Sequence, residues 1–495
     1  MIRNPQALGL SATDWRPGQR ETITKIIESP IDTVVIDAPT GSGKSLIALG
    51  TARATLAKTF IVTHTKSLQD QYIDEGGDLV KSIRGKNNYL CVLPIWDRWE
   101  ATTLGVTKFT TVDNAPCAVG YDCAYRDRCT YFMAKRAAVQ APISIHNDAY
   151  WVLEANTVGE FSNAGYVFFD EGHLVDDVLT RWAGMEILPE FGMPTGTTAR
   201  TWRSWAKEVL VAAGSGPVAG VERVKWERRM RDVQRLADLD LDSGTRWVLD
   251  WGVRDGARVR PLWPVGFRET LLKGSKLVLM SGTILDHEMF AETVGMGEHE
   301  YIKLPWTFPK ESRPVFYRPA AAVTRTNQEA AAPNLARVVD HVMDTHRGEK
   351  GVIHCRSFNL GEAVARELKH KNIIVHTRGM DRARVVRQFK EGKNGEWLIS
   401  PSVSHGEDFA YDVARCQVIL KMPFPDYGDQ LVRLRAKANP AWYYYATAQE
   451  LVQMVGRVTR APDDYGETII CDEKFDVFVD KYRRFIPEEL WAAVS

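Results

Sequence analysis

Eight residues, Ala38-Pro39-Thr40-Gly41-Ser42-Gly43-Lys44-Ser45, constrain this chain more than any other stretch. They follow the β-branched apolar run Thr33-Val34-Val35-Ile36 and precede Leu46-Ile47-Ala48-Leu49, so the predicted order is strand, glycine-rich turn, helix. In such a turn Thr40, Gly41, Ser42 and Gly43 let backbone N–H groups close around phosphate oxygens, and the helix N-terminus adds partial positive charge. Lys44 then reaches the β- and γ-phosphates, and the Ser45 hydroxyl ligates Mg²⁺. Ala38 stands where the simplest form of the pattern has Gly.

A second apolar strand, Gly165-Tyr166-Val167-Phe168-Phe169, runs into Asp170-Glu171-Gly172-His173. Carboxylates at the C-terminal end of a strand lie where open α/β sheets bind ligands. An adjacent Asp-Glu pair is also common as a solvated helix start, but a phosphate loop upstream favours the catalytic reading. Asp170 then holds Mg²⁺, directly or through water, and Glu171 orients and deprotonates the attacking water. Near the C-terminus, Gln453, Arg457 and Arg460 of Gln453-Met454-Val455-Gly456-Arg457-Val458-Thr459-Arg460 fall at i, i+4 and i+7, one face of a predicted helix. Two guanidinium groups there can meet a triphosphate from the opposite side; a plain solvated basic face has the same spacing.

Four of the seven cysteines, Cys91, Cys117, Cys123 and Cys129, lie between the phosphate loop and the acidic strand end. The last three are separated by five residues each, unlike the two-residue spacing of a zinc knuckle. Four thiolates suit Zn²⁺ or a [4Fe–4S] cluster, and spacing does not choose between them. The same segment interleaves Lys81, Arg84, Lys86, Arg98, Arg126, Arg128, Lys135 and Arg136 with Tyr89, Trp96, Trp99, Tyr121, Tyr125 and Tyr131. That mixture suits single-stranded nucleic acid, and equally a charged surface over a small aromatic core. Cys355, Cys416 and Cys471 border β-like apolar runs and are expected to be inert core thiols.

The order Gln19, Ala38 to Ser45, Asp170 to His173, Ser281-Gly282-Thr283, Gly406 to Asp408 and Gln453 to Arg460 resembles the motif series of superfamily 2 helicases. The cysteine segment, with Arg84-Gly85-Lys86-Asn87-Asn88-Tyr89-Leu90-Cys91 and Ile143-Ser144-Ile145-His146-Asn147-Asp148-Ala149-Tyr150, is similar to the XPD/DinG family of iron–sulfur helicases. The resemblance spans nearly the whole chain. It implies that Gln19 reads adenine, that Asp408 belongs to the nucleotide site, that Thr65-Lys66-Ser67 meets the strand, and that the four cysteines hold [4Fe–4S]. It also implies an ATP- and Mg²⁺-dependent motor moving 5′ to 3′ on single-stranded DNA and acting on forked or tailed duplexes. Gly172 and Gly282 stand where the family often has Ala, and His405 where it commonly has an acidic residue. A non-unwinding translocase shares all these residues; a nucleotide-gated binding module has no use for Glu171 or Arg460.

The expected fold is α/β, two RecA-like parallel-sheet domains, the first carrying an iron–sulfur insertion and a helical arch insertion. The expected bounds are 1–84, 137–188 and 256–300 for the first motor domain, 85–136 for the cysteine insertion, 189–255 for the arch and 301–495 for the second motor domain. Sixty-three basic and 63 acidic residues cancel, so any nucleic-acid surface must be local. No apolar run is long enough to span a bilayer and the first ten residues lack a secretory core, so a cytoplasmic monomer is expected.

Overall fold

The computed structural model describes residues 2–39, 41–162, 164–194, 196–217, 219–253, 256–306, 308–403, 409–461 and 463–495. Two of the expected site residues, Thr40 and Asp408, lie outside the described residues, as does the rest of 404–408.

The first sheet begins with β1 (Thr33–Asp37), β2 (Thr59–Thr63), β3 (Val80–Ile83), β4 (Ile143–Asn147) and β5 (Ala164–Asp170). β1 and β2 are buried along their whole length, as continuous apolar runs in a sheet covered on both faces require. After β5 the chain leaves this sheet for an antiparallel one: β6 (Met185–Ile187), β7 (Trp247–Val253) and β8 (Gly256–Pro261), in the order β6-β8-β7. Between β6 and β7 run the helices Ala199–Ala213 and Gly220–Ala237, packed through Trp202, Trp205, Met230 and Leu236. β9 (Gly274–Ser281) and β10 (Glu300–Lys303) then complete the first sheet. Its order is β10-β1-β9-β5-β2-β4-β3, parallel throughout.

The two helices of the expected arch segment are flanked by the antiparallel sheet, whose strands β6 and β8 lie outside 189–255. In β8, buried Ala257 and Val259 alternate with less buried Arg258 and Arg260, the two-residue period of a half-covered strand. β10 also carries the first sheet past residue 300 to Lys303.

The second domain is a separate parallel sheet of β11 (Val315–Ala321), β12 (Gly351–His354), β13 (Ile373–Val375), β14 (Trp397–Ser400), β15 (Cys416–Ile419) and β16 (Glu467–Asp472). Its order is β11-β16-β15-β12-β14-β13. Cys355, Cys416 and Cys471 are buried around it, and burial pushes the thiols of Cys355 and Cys471 up to about 12. Among the described residues, no helix is long and apolar enough to cross a membrane.

The parallel order places the C-terminal ends of β1, β9 and β5 side by side. The phosphate loop leaves β1, Ser281-Gly282-Thr283 leaves β9 and Asp170-Glu171 leaves β5, so one crevice gathers all three. Asp37, the last residue of β1, is buried beside Tyr301, whose hydroxyl donates to Oδ2 at 3.3 Å. Burial pushes its carboxyl from the ordinary 3.8 to about 6, against the opposing pull of Lys303 and the Tyr301 hydrogen bond. A carboxyl with a raised folded pKa binds more protons when folded, so it costs the fold nothing below pH 4 and its full penalty above pH 6. We predict that Asp37→Asn, which keeps an acceptor for Tyr301, stabilises the protein at pH 8 by up to about 3 kcal/mol. Thermal unfolding should show that advantage shrinking toward pH 4; a constant advantage would rule out titration as its source.

Candidate functional site

The phosphate loop is held open by glycine and closed by a glutamine. Gly41 and Gly43 have φ of +79° and +73°, left-handed values that a side chain resists, and Gly43 caps the helix Lys44–Thr55. Gln19 is fully buried beneath them. Its Nε2 donates to the carbonyls of Ser42 at 2.7 Å and Gly43 at 3.0 Å, while its Oε1 accepts the Arg16 N–H at 2.8 Å. The Arg16 guanidinium donates to the Gly41 carbonyl. A Cβ on Gly43 would fall 2.5 Å from Gln19 Nε2, and one on Gly41 would fall 2.0 Å from the ring of Phe308. Gln19 thus braces the loop from below, and Phe308 covers it from above.

At the end of β5, Asp170 accepts from the Glu171 N–H through Oδ1 and from the Tyr72 hydroxyl through Oδ2, each at 3.0 Å. Burial pushes the Asp170 carboxyl up to about 6, with Lys44 pulling against it. Glu171 sits in the left-handed region at φ +60°. Burial would raise its carboxyl as well, but Lys44, His173 and Arg457 together hold it below the ordinary range. The pair is therefore split into an acid that keeps its proton more readily and a carboxylate that stays ionised. A Cβ on Gly172 would be tight, meeting Leu279 Cβ at 3.0 Å and Met280 N at 3.1 Å in β9.

His173, quoted within the acidic motif but given no role from the sequence, occupies the centre of the site. Its Nδ1 lies 2.8 Å from Ser281 Oγ and 3.3 Å from Glu171 Oε2, and Gln453 Nε2 lies 3.2 Å from its Nε2. With the amide donating, Nε2 is the acceptor and Nδ1–H faces Ser281 and Glu171. Ser281 Oγ continues to Thr283 Oγ1 at 3.1 Å. Gln453 belongs to the second domain, as do Gln449, which donates to the Thr283 carbonyl at 2.9 Å, and Tyr445, which donates to that of Ile284 at 2.7 Å. One helix, Pro440–Val455, thereby reads the ends of both β5 and β9.

That helix stops earlier than its sequence suggested. Only Gln453 of the three expected helix-face residues is helical; Gly456 follows as the cap, and Arg457 and Arg460 lie in the turn beyond. The stop has a chemical cause. Buried Gln417 of β15 donates to the exposed carbonyls of Met454 and Val455 at 2.9 and 3.2 Å, satisfying the helix end from outside. The turn still delivers both arginines: Lys44 and Glu171 of the first domain and Gln453, Arg457 and Arg460 of the second line one small cavity roofed by Phe308. Burial makes the Arg460 guanidinium easier to deprotonate, and the charge of Glu171 opposes that.

The cavity fits a polyanion. Ser42 Oγ, Gln453 Oε1 and two guanidinium nitrogens of Arg313 are buried with no hydrogen-bond partner among the described residues, and Gln453 and Arg313 edge the same space. Buried polar atoms left unpaired are costly, so a group that satisfies them binds with a gain.

In the cysteine insertion, Cys91, Cys117 and Cys123 are half-buried and Cys129 is buried at the start of the helix Thr130–Gln140. Burial first, then the three other thiols, push Cys117 up to about 11, so the four sulfurs share one neighbourhood. Backbone N–H groups of Leu93 and Tyr125 point at Cys91 and Cys123 and favour their thiolates. Among the described residues, no three His, Cys, Asp or Glu side chains are grouped so that they could hold a metal ion. Of the cations and rings interleaved here, Lys135 and Tyr131 are structural: Lys135 is buried against Glu154 at 2.7 Å and Tyr131 donates to the same carboxylate at 3.2 Å. Trp99 is 79% exposed, and Arg128 stacks over Trp96 at 4.2 Å, so the outward face keeps both charges and rings.

A wider cleft of about 830 Å³ opens beyond His173 and Gln453, between the helix Val175–Ala183, the antiparallel sheet and the second domain. Its arginines are paired: Arg260 with Asp429 at 2.8 Å, Arg435 with Asp176 at 2.8 Å and Arg356 with Glu450 at 3.0 Å.

Comparison with known proteins agrees with this geometry. Residues 341–492 match the helicase C-terminal domain family, and residues 12–103 match the type III restriction enzyme res subunit family. The chain is 20% identical to the ATP-dependent DNA helicase YoaA of Haemophilus influenzae over 89% of this chain and 88% of that protein. With YoaA of Escherichia coli K12 it shares 21% over 91% and 90%. A solved XPD helicase superposes with a TM-score of 0.68 at 13% identity, covering 96% of this chain and 98% of that one, and S. tokodaii Xpd4 with 0.59 at 14%, covering 96% and 99%. Two parallel sheets, the two matched regions and this motif order together make the chain similar to the XPD/DinG-like superfamily 2 helicases.

Proposed function

We propose that this protein hydrolyses Mg·ATP in the cleft between its two sheets and uses the closing and opening of that cleft to travel 5′ to 3′ along single-stranded DNA, unwinding forked or tailed duplexes. The observation that carries this reading is the cavity shared by Lys44 and Glu171 on one side and Arg457 and Arg460 on the other. A pure binding module needs no water-activating carboxylate facing two arginines. The names of the relatives, ATP-dependent DNA helicases, support the same substrate classes.

On this reading Thr40, Gly41, Ser42, Gly43 and Lys44 cradle the phosphates, and Ser45 and Asp170 hold Mg²⁺. Glu171 takes the proton of the attacking water, with His173 orienting it, and Gln453, Arg457 and Arg460 supply the second domain's contacts to the γ-phosphate. Asp408 completes the nucleotide site. Gln19 remains the adenine-side group: both of its N–H donors hold the loop, and Oε1 keeps a second lone pair for a base. The wide cleft and the outward rings of the cysteine insertion offer the strand a path, in which phosphates exchange for the carboxylates now paired with arginine.

Cys91, Cys117, Cys123 and Cys129 are the ligands we assign to a [4Fe–4S] cluster. Their shared neighbourhood and the two backbone N–H groups aimed at sulfur support thiolate ligation, and the choice of iron–sulfur over Zn²⁺ rests on the resemblance to the iron–sulfur helicases. Bound there, the cluster pins four separated chain segments together.

The decisive test is ATP turnover with and without single-stranded DNA, followed by strand displacement on a tailed duplex. Turnover stimulated by DNA without displacement would make the protein a translocase, and unstimulated or absent turnover would defeat the motor reading. Lys44→Ala should abolish hydrolysis and leave DNA binding intact. Arg460→Ala should lower turnover about a thousandfold with a far smaller change in ATP affinity, and Arg460→Lys should not restore it, because an ammonium lacks the planar fork. Normal hydrolysis with weak DNA binding would instead make Arg460 a strand contact. Protein purified without oxygen should be brown and carry about four irons per chain. Cys123→Ser should lose iron and unwinding more than basal hydrolysis; stoichiometric zinc in the wild type would refute the cluster.

A further inference from the structure

Tyr72 lies in the helix Lys66–Gly76, away from every motif that the nucleotide reading uses, yet its side chain ends on one of them. The ring is fully buried, and its hydroxyl donates to Asp170 Oδ2 at 3.0 Å. A buried tyrosine needs an acceptor, and a backbone carbonyl would serve. Here the acceptor is the carboxylate at the end of β5. Because Oδ1 is held by the Glu171 N–H, also at 3.0 Å, the two bonds together fix the rotation of the carboxylate and leave one lone-pair direction on each oxygen facing the cleft.

The other end of the same helix faces outward. Thr65 caps it by accepting the Leu68 N–H at 3.3 Å, and its hydroxyl meets that of Ser67 at 3.1 Å on the surface. Thr65 and Tyr72 are seven residues apart, two turns, and so share one side of a rigid element about 10 Å long. Gln69, between them, is buried and donates to the Ile83 carbonyl at 3.3 Å, which ties the middle of the helix to β3. A displacement of the helix at its outer end must therefore reach the carboxylate through the Tyr72 ring.

We propose that Tyr72 is a positioning residue for Mg²⁺: its hydroxyl orients the Asp170 carboxylate, and through the helix Lys66–Gly76 it links a strand seated at Thr65 and Ser67 to metal binding in the nucleotide cleft. This inference rests on the nucleotide reading given above. It assigns to a side chain outside the motifs a part in both metal affinity and the response to DNA.

The test is Tyr72→Phe, which removes one oxygen and keeps the ring. Mn²⁺ binding in the presence of ADP, followed by electron paramagnetic resonance, should show a half-saturation about tenfold higher than in the wild type. Binding of a fluorescent ATP analogue in EDTA should be unchanged, and the stimulation of turnover by an oligo-dT strand at saturating Mg²⁺ should fall. An unchanged Mn²⁺ half-saturation in Tyr72→Phe overturns the proposal, including when the melting temperature drops, since that pattern is a purely structural tyrosine. Tyr72→Met, smaller and without a donor, must reproduce the Mn²⁺ shift; if it binds Mn²⁺ as the wild type does, the proposal also fails. Should the wild type itself bind no Mn²⁺ with ADP, the nucleotide reading is what fails, a result separable from any difference between variants.

Discussion

Three charged groups meet where the first sheet ends: the half-buried Lys44 ammonium and Glu171 carboxylate and the buried Asp170 carboxylate. One ammonium cannot compensate two carboxylates in a medium that screens poorly, so the first domain alone leaves the crevice with excess negative charge. The structure answers in two ways. Asp170 shifts toward its protonated form, and Arg457 of the second domain adds its charge to Lys44 and His173 around Glu171. Attraction between the domains thus acts also at the place where chemistry on a phosphate would occur. A triphosphate with its metal would change that balance, which is a physical reason for the cleft to respond to nucleotide.

Delivering the arginines requires the second domain to break a helix in the right place. Pro440–Val455 carries Tyr445, Gln449 and Gln453 toward the first domain on one side, and a continuing helix would carry Arg457 and Arg460 along its own axis. The Gln417 amide, which also meets the Thr468 hydroxyl at 2.8 Å, accepts the burden of the free carbonyls and lets the chain turn at Gly456. The turn is fastened afterward: Phe409 donates its N–H to the Arg457 carbonyl at 3.2 Å, and the Arg460 N–H donates to Asp464 at 3.0 Å.

Much of this was legible in the sequence, and what was not shares a cause. Continuous apolar runs such as Val34-Val35-Ile36 and Phe60-Ile61-Val62 announced strands buried on both faces, and the phosphate loop announced its own strand and helix. The helix end at Gly456 was missed because its cap comes from Gln417, 37 residues earlier, and the i+4, i+7 spacing of the arginines outweighed a single glycine. Tyr72 and Phe308 were given no part in the sequence reading, since nothing local says that one ends on Asp170 and the other lies against Gly41. Gly172 read as a minor departure, and the nearness of β9, with Leu279 and Met280 3.0 to 3.2 Å from where a Cβ would sit, was not visible locally. The strands β7 and β8 were not foreseen, since β8 is a short run in which Ala257 and Val259 alternate with Arg258 and Arg260.

The antiparallel sheet matters because it joins parts that the motor sheets leave apart. At one end of the arch, Arg228 donates to Asn114 Oδ1 at 2.7 Å and to Asp113 at 2.6 Å in the cysteine insertion, and the Val221 N–H donates to the Leu104 carbonyl at 3.0 Å. At the other end, Val248 and Leu262 pack on Leu431 of the second domain, and Arg260 grips Asp429 with both terminal nitrogens. These contacts differ in what they cost to break. Arg260 and Asp429 keep some solvent, so their separation is compensated in part by water. Arg435 does not: it is 4% exposed, flanked by Trp263 and Trp442, bidentate to Asp176 and bonded to the Leu262 carbonyl at 2.6 Å. Pulling it away would strand a buried charge at about 3–5 kcal/mol. Any rearrangement of the two sheets that preserves Arg435 is therefore the cheapest one. Arg435 thus fastens Asp176 and Thr180 of the first domain and the Leu262 carbonyl after β8 to the second domain at a single buried point.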